Sequence, residues 1–143
     1  MTKARLLLPI LIFMGWGCAS KVYQRPNVEQ LEPKAYLEKL QATEEAYLLD
    51  IRTGMEYKKA HLEGARHINF LSFSFGKKVD QLDTSRTVFI YCHTAHRSPY
   101  VAKKLWKKGF RQIVDLKGGY RAFKHQKKSA GGESGEGGES GEE

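Results

Sequence analysis

The stretch VFIYCHTAHRSPYVAKKL, Val88 to Leu105, constrains this chain most, because it sets a cysteine between a strand and a helix with only a short loop to join them. Val88, Phe89, Ile90 and Tyr91 form a β-branched and aromatic run of the kind buried on both faces of a sheet. Ser98 followed by Pro99 reads as an N-cap with proline at the first helical position, and Val101, Ala102 and Leu105 follow at helical spacing. The loop is then Cys92-His93-Thr94-Ala95-His96-Arg97. A tight loop ahead of a helix turns backbone N–H groups inward, and the helix N-terminus adds partial positive charge, so the concavity favours an anion. A Cys92 thiolate is such an anion, and Arg97 and any protonated fraction of His93 or His96 act in the same direction. The alternative is an inert cysteine closing a buried strand. Strand, loop, arginine, cap and helix agree with one another, and that agreement favours the nucleophile.

The rest of the chain supplies strands and helices in alternation. Pro33 opens a helical segment in which Leu31, Tyr36, Leu37 and Leu40 share a face, and Tyr47–Ile51 follows as a buried strand. Thr53-Gly54 ends it, a short helix carries Tyr57 towards His61, and His67–Phe70 reads as another strand. Leu71–Arg86 is a longer connection with a helical turn near Val79–Leu82, whose Phe73, Phe75, Val79 and Leu82 are expected in a satellite core. Helix Pro99–Lys108 stops at Gly109, and Trp106 and Phe110 are expected against the sheet. Gln112–Leu116 is the last strand. Gly118-Gly119 then turns the chain beside the active loop, where bare backbone approaches a ligand or the loop itself, before a short helix begins at Tyr120. The expected fold class is α/β, a central parallel sheet with helices on both faces and Cys92 at the C-terminal end of a strand.

With these residues in view the sequence resembles a single-domain rhodanese, a sulfurtransferase family whose active loop reads Cys-x-x-Gly-x-Arg. Cys92 and Arg97 match the ends of that loop, and Ser98 matches the residue that often opens the following helix. Leu48–Arg52 resembles the family's strand ending in Asp-Val-Arg, and Glu56-Tyr57 with His61-Leu62-Glu63-Gly64-Ala65 resembles its Glu-Tyr…Gly-His-Ile-x-Gly-Ala run. Leu116-Lys117-Gly118-Gly119-Tyr120 resembles its Leu-x-Gly-Gly-Trp. Two positions depart from the pattern: Ala95 and Ala60 stand where the family usually has glycine. If position 95 requires positive φ, alanine there carries strain or reshapes the loop. The resemblance implies Cys92 as nucleophile, with His93, Thr94, Ala95, His96 and Arg97 as the substrate-binding loop. Asp50, Arg52, Ser98, Gly118 and Gly119 are its structural support, with Asp50 and Arg52 engaged in scaffold hydrogen bonds and an ion pair. His61 is expected to be structural. Arg97 either binds the donor's oxygens or braces the loop, and His93 and His96 either supply charge at mildly acidic pH or face solvent.

Flanking segments bear on location. Lys3 and Arg5 precede the apolar run Leu6–Met14, which has the length of a signal peptide (residues 1–17) and not of a spanning helix. Gly15, Gly17 and then Cys18-Ala19-Ser20 resemble a bacterial lipoprotein processing site, which implies lipidation of Cys18 and a periplasmic protein anchored to a membrane, the outer membrane by the presence of Ala19. Ordinary secretion and an uncleaved N-terminal anchor are the alternatives. Residues 18–27 then serve as anchor cysteine and tether, 28–128 as the rhodanese-like domain, and 129–143 as a disordered acidic Gly/Ser/Glu tail. Of the two cysteines, a lipidated Cys18 leaves Cys92 without a disulfide partner in the mature chain. An exposed thiolate in an oxidising periplasm is vulnerable, so the reading calls for sulfide-rich conditions, a reductant or a protecting persulfide.

Charge narrows the partners. The chain carries 24 basic and 16 acidic residues, but the leader holds two of the former and the tail five of the latter, which leaves +11 on Cys18–Ala130. Such a field favours small anions such as thiosulfate, or anionic lipid headgroups. Nucleic acid is disfavoured by the export signal and the absence of a binding motif. Lys103, Lys104, Lys107 and Lys108 form either a binding patch or a solvated helix face. No metal-ligand spacing and no Gly-rich dinucleotide loop is present, so no cofactor is expected. The leading functional expectation is a sulfurtransferase that moves sulfane sulfur from a small anionic donor such as thiosulfate to a thiol or cyanide through a Cys92 persulfide. A second is a weakly active or non-catalytic binding or sulfide-sensing module on the same fold, which Ala95 keeps open. A third, a cysteine phosphatase or arsenate reductase, needs one more residue between cysteine and arginine than Cys92 and Arg97 allow.

Overall fold

Three four-residue strands whose side chains are all buried explain the architecture of this computed structural model, which describes residues 20–132. The apolar leader, Cys18 and its proposed lipidation, and the acidic stretch from residue 133 onward lie outside the described residues. The elements are β1 (Val28–Leu31), α1 (Pro33–Ala42), β2 (Tyr47–Asp50), α2 (Gly54–Lys59), β3 (Arg66–His67), α3 (Phe75–Val79), β4 (Val88–Tyr91), α4 (Ser98–Lys107), β5 (Ile113–Leu116) and α5 (Gly119–Gly132). All five strands run parallel in the order β1-β5-β4-β2-β3, so β4 is central and its C-terminal end, where Cys92 sits, is flanked by the ends of β2 and β5.

Each central strand is apolar on both faces, as a parallel sheet covered by helices requires. Side chains alternate between two clusters. Val88, Ile90 and Cys92 pack with Leu49, Ile113, Val101, Ala102 and Leu105 on the face covered by α3 and α4. Phe89, Tyr91, Leu48, Val114 and Leu116 pack with Tyr36 and Tyr120 on the opposite face, where Leu37, Leu40, Tyr57 and Phe123 join them. The α/β layering expected from the sequence is present.

Several local readings change. Residues Lys21–Asn27, read as a tether, are folded onto the domain: Ser20–Gln24 forms a short 3₁₀ turn, Val22 is buried in the core, and Arg25 lies 5.1 Å over the Trp106 ring. Two apolar residues among charged neighbours gave too weak a pattern to show this. Leu31 ends the edge strand β1, pairing with Leu116, and does not begin a helix. The strand expected over His67–Phe70 is only the two-residue β3, after which Ile68 and Phe70 hand their N–H groups to the Asp50 and Ile51 carbonyls. Phe75, Val79 and Leu82 join the main core, whereas Phe73 is fully exposed. Helix α5 runs through to Gly132, longer than the short closing helix expected, because Lys124–Ala130 offers no proline or glycine to stop it. Of the α4 lysines, Lys104 lies 5.0 Å over the Phe70 ring and Lys108 pairs with Asp80, so these two are engaged within the fold.

If the N-terminal segment is part of the core, Val22→Ala should lower the unfolding free energy by about 1–2 kcal/mol in urea titrations, the cost of deleting buried methyl groups. A detached tether would leave the midpoint unmoved.

Candidate active site

Cys92 leaves β4 at the centre of the sheet and is 1% exposed. The chain then makes a loop to α4 in which Ala95 takes φ 63°, the left-handed region that favours glycine. The departure at position 95 therefore sits where glycine would matter, and the chain adopts the conformation regardless. Ala60, the other departure, has φ −173°, extended backbone that any residue accepts. Among the described residues, none of the backbone N–H groups from His93 to Arg97 donates to a protein acceptor. Five donors thus remain free around the end of the strand.

The loop is fixed from outside by two devices. Gly118 and Gly119, at φ 70° and 64°, let the chain turn from β5 into α5 against the loop itself. A Cβ on Gly119 would lie 2.6 Å from the Cys92 carbonyl oxygen and 2.7 Å from that of His93. That close approach allows the Tyr120 N–H to donate to the Cys92 carbonyl at 2.8 Å and the Arg121 N–H to that of His93 at 3.0 Å. Both donors belong to the first turn of α5, where helical partners are lacking.

The second device is Glu56. Thr53 caps α2 and accepts from the Glu56 N–H, while Glu56 Oε2 accepts from the Thr53 N–H and hydroxyl, a reciprocal capping box. Glu56 Oε1 faces Arg97 Nη2 at 3.5 Å and His93 Nδ1 at 3.4 Å. Burial would raise this carboxyl, but hydrogen bonds from Thr53 and the charges of Arg97 and His93 outweigh it and hold it below the ordinary carboxylate range. Arg97 thus makes the bracing contact of its two expected roles. Thr94 Oγ1 and His96 Nδ1 are 2.9 Å apart on the exposed side of the loop. The role of Glu56 was missed from sequence, although Thr-x-x-Glu before a short helix is the signature that announces it.

Beneath the loop lies a buried pair. Arg52 Nε contacts both Asp50 oxygens at 2.9 Å, and Nη2 donates to Asp50 Oδ2 at 2.5 Å and to the Ala60 carbonyl at 2.7 Å. Its guanidinium lies 4.1 Å over Tyr120 and 5.4 Å over Tyr91. Asp50 and Arg52 are scaffold, joining β2 to both flanks of the loop. His61, exposed and stacked 3.9 Å from Tyr57, donates from Nδ1 to the Tyr57 carbonyl and stands apart from Cys92's loop.

Ser98 differs from its expected role. Helix α4 begins at Ser98 itself with Arg97 at the cap position, and the serine side chain, fully buried, makes no capping hydrogen bond. Its hydroxyl donates to Cys92 Sγ at 3.2 Å instead. A cleft of about 240 Å³ adjoins the loop, lined by Arg52, Glu56, Lys59, His93, Tyr120 and Lys124. A larger depression of about 540 Å³ lies along α5 and includes no loop residue, whereas the smaller one reaches the loop at His93.

A parallel α/β sheet with a cysteine at its central strand end, under a loop of free N–H groups, defines the class. The rhodanese-like domain family matches residues 32–126, and the chain belongs to that family. It is 30% identical to a putative sulfurtransferase, YtwF, of Bacillus subtilis over 71% of this chain and 96% of that protein. It is 29% identical to the thiosulfate sulfurtransferase GlpE of Glaesserella parasuis over 66% of this chain and 84% of that one. Against the putative sulfur carrier protein YrkF of Bacillus subtilis it is 28% identical over 66% of its length, and spans half of that protein. A rhodanese-like domain protein from Staphylococcus aureus shares the fold at a TM-score of 0.58 and 20% identity, covering 66% of this chain and 89% of that one.

Two results test this geometry. Ala95→Gly should raise stability by up to about 1 kcal/mol in urea titrations, since relief of left-handed strain exceeds the added entropy of the unfolded chain. Because the Glu56 carboxyl is held low in the folded state, its stabilising contribution is complete above the unfolded value and is lost as pH falls through the folded one. Glu56→Gln should accordingly flatten the acid limb of the stability–pH curve.

Proposed function

We propose that the protein is a sulfurtransferase in which Cys92 carries sulfane sulfur as a persulfide. The observation that carries the reading is the end of β4: one buried cysteine followed by a tight loop whose five backbone N–H groups have no protein acceptor, with a cleft lined by Lys59 and Lys124 alongside. The Cys92 thiolate attacks the outer sulfur of a small anionic donor such as thiosulfate. A sulfur–sulfur bond forms, the donor's own S–S bond breaks, and sulfite leaves with the bonding pair. The loop N–H groups stabilise the thiolate first and the terminal persulfide sulfur afterwards. An acceptor thiolate or cyanide then takes that outer sulfur and returns the Cys92 thiolate. Lys59 and Lys124 give the cleft the charge to attract the donor, since the Arg52 charge is already met by Asp50. Relatives named as sulfurtransferases support this reading at the family level.

Location is part of the same proposal. The basic start, short apolar run and Cys18 support export to the periplasm with a lipid on the N-terminal cysteine. The docked segment Ser20–Gln24 would then leave almost no free chain between lipid and domain.

Treating the protein with thiosulfate and removing the donor should add about 32 Da, one sulfur atom, to intact protein and not to Cys92→Ser, as a covalent intermediate requires. Cyanide should discharge it. Reduced, alkylatable Cys92 that accepts no sulfur from thiosulfate, polysulfide or mercaptopyruvate would favour the binding-module reading.

A further inference from the structure

Strand β5 carries an aspartate where the alternation calls for an apolar residue. Ile113 and Asp115 point to the face of the sheet that carries Cys92, while Val114 and Leu116 point to the other. Asp115 pairs with Ile90, two residues before Cys92, and has no solvent exposure. A carboxylate so placed costs several kcal/mol unless it is fully partnered, and this one is not. Oδ2 accepts from the Tyr23 hydroxyl at 2.5 Å and from Gln30 Nε2 at 2.9 Å. Oδ1 is buried without a partner. Both donors precede residue 32, where the family match begins, so this chain's own N-terminal segment holds the carboxylate in place.

Ser98 lies close enough to the Asp115 carboxyl to oppose its upward shift, and its hydroxyl donates to Cys92 Sγ, 3.2 Å away. One buried hydroxyl therefore neighbours both acids.

We infer that Asp115 stores the Cys92 proton, passed through Ser98, so that nucleophile and carboxylate share one negative charge. In one arrangement the Cys92 S–H donates to Ser98 Oγ, and Ser98 donates to ionised Asp115 Oδ1. In the other the thiol proton has moved to Ser98 Oγ, the Ser98 proton has moved to Oδ1, and the thiolate accepts from Ser98. No bond other than O–H and S–H changes, and no oxidant is needed. When an acceptor takes the outer sulfur, the Cys92 thiolate recovers the proton by the same path. Asp115 is thus a positioning residue that acts through Ser98. Burial pushes its carboxyl up, and the hydrogen bonds from Tyr23 and Gln30, helped by the nearby Ser98 hydroxyl and Leu116 N–H, pull it back only to about 6. The groups on its face are Tyr23 from the N-terminal turn, Gln30 from β1, Ser98 from α4 and Cys92 from the end of β4, while the Tyr36 hydroxyl from α1 acts on it only through space from the other face.

The proposal rests on Cys92 as the reacting thiol but not on any sulfur donor, so its test uses iodoacetamide. The alkylation rate of Cys92 in the full chain is followed against pH for wild type, Asp115→Asn and Ser98→Thr, with near-ultraviolet circular dichroism as the check on folding. Wild type should show a rise near pH 6, where the pair loses the first of its two protons and the state with one shared proton and one shared negative charge forms. Asp115→Asn should lose that rise and react only as pH approaches the ordinary thiol range near ~8.5, slowing alkylation on the order of tenfold at about pH 6.5. Ser98→Thr keeps the hydroxyl and should keep the rise. If Asp115→Asn leaves the profile unchanged or moves it to lower pH, Asp115 acts only as a fixed charge or a structural group and the relay is wrong. Should Asp115→Asn fail to fold, Ser98→Ala supplies the severed path, and a rise retained near pH 6 in that variant overturns the proposal equally. Failure of sulfur loading with an intact rise would sink the transferase reading alone.

Discussion

The structure around Cys92 depends on one close approach, that of the Gly118-Gly119 turn to the backbone of the active loop. There two N–H groups of the first turn of α5, those of Tyr120 and Arg121, donate to the carbonyls of Cys92 and His93, so one contact partners a helix terminus and fixes the start of the loop. With those carbonyls taken up by α5, the N–H groups that follow along the loop keep no protein acceptor. Any side chain at position 119 would collide with the backbone it must approach, which ties the chemistry at β4 to the presence of glycine after β5.

Around that contact the loop is held by unlike means on its two flanks. On the side of α2 the hold is electrostatic: Glu56, itself fixed by the Thr53 cap, faces Arg97 and His93 at distances that leave them partly hydrated. Beneath, the hold is a dry ion pair, Asp50 with Arg52, roofed by Tyr91 and Tyr120 and completed by the Ala60 carbonyl. Exposed ion pairs contribute little and respond to salt, whereas breaking a buried one strands a charge. The loop is therefore anchored firmly at its base and loosely at its rim, above a sulfur that is 1% exposed.

The N-terminal segment changes how the domain is bounded. Tyr23 and Val22 belong to the core that carries Cys92, and Tyr23 reaches the same carboxylate that neighbours Ser98. Whatever lies ahead of Ser20 is consequently joined to the domain at a point close to its chemistry.

Much of this was legible in the sequence because it depends on local pattern. The runs at Tyr47–Ile51, Val88–Tyr91 and Gln112–Leu116 could only be strands buried on both faces, and Cys92 at the end of one of them, five residues before Arg97, located the loop. The glycine pair was readable for the same reason: two glycines after a buried strand mark backbone that must bend or approach something. Tertiary structure alone decided the partners. Ser98 looked like a cap because serine before proline usually is one, but its neighbour across the loop is sulfur, and only packing brings them together. Asp115 is an unremarkable letter in the sequence, and its significance arises from sheet alternation and from Tyr23, ninety-two residues away. Val22 and Phe73 show the limit most plainly: both are apolar residues among polar ones, and whether such a residue is core or surface depends on which other segment arrives to cover it.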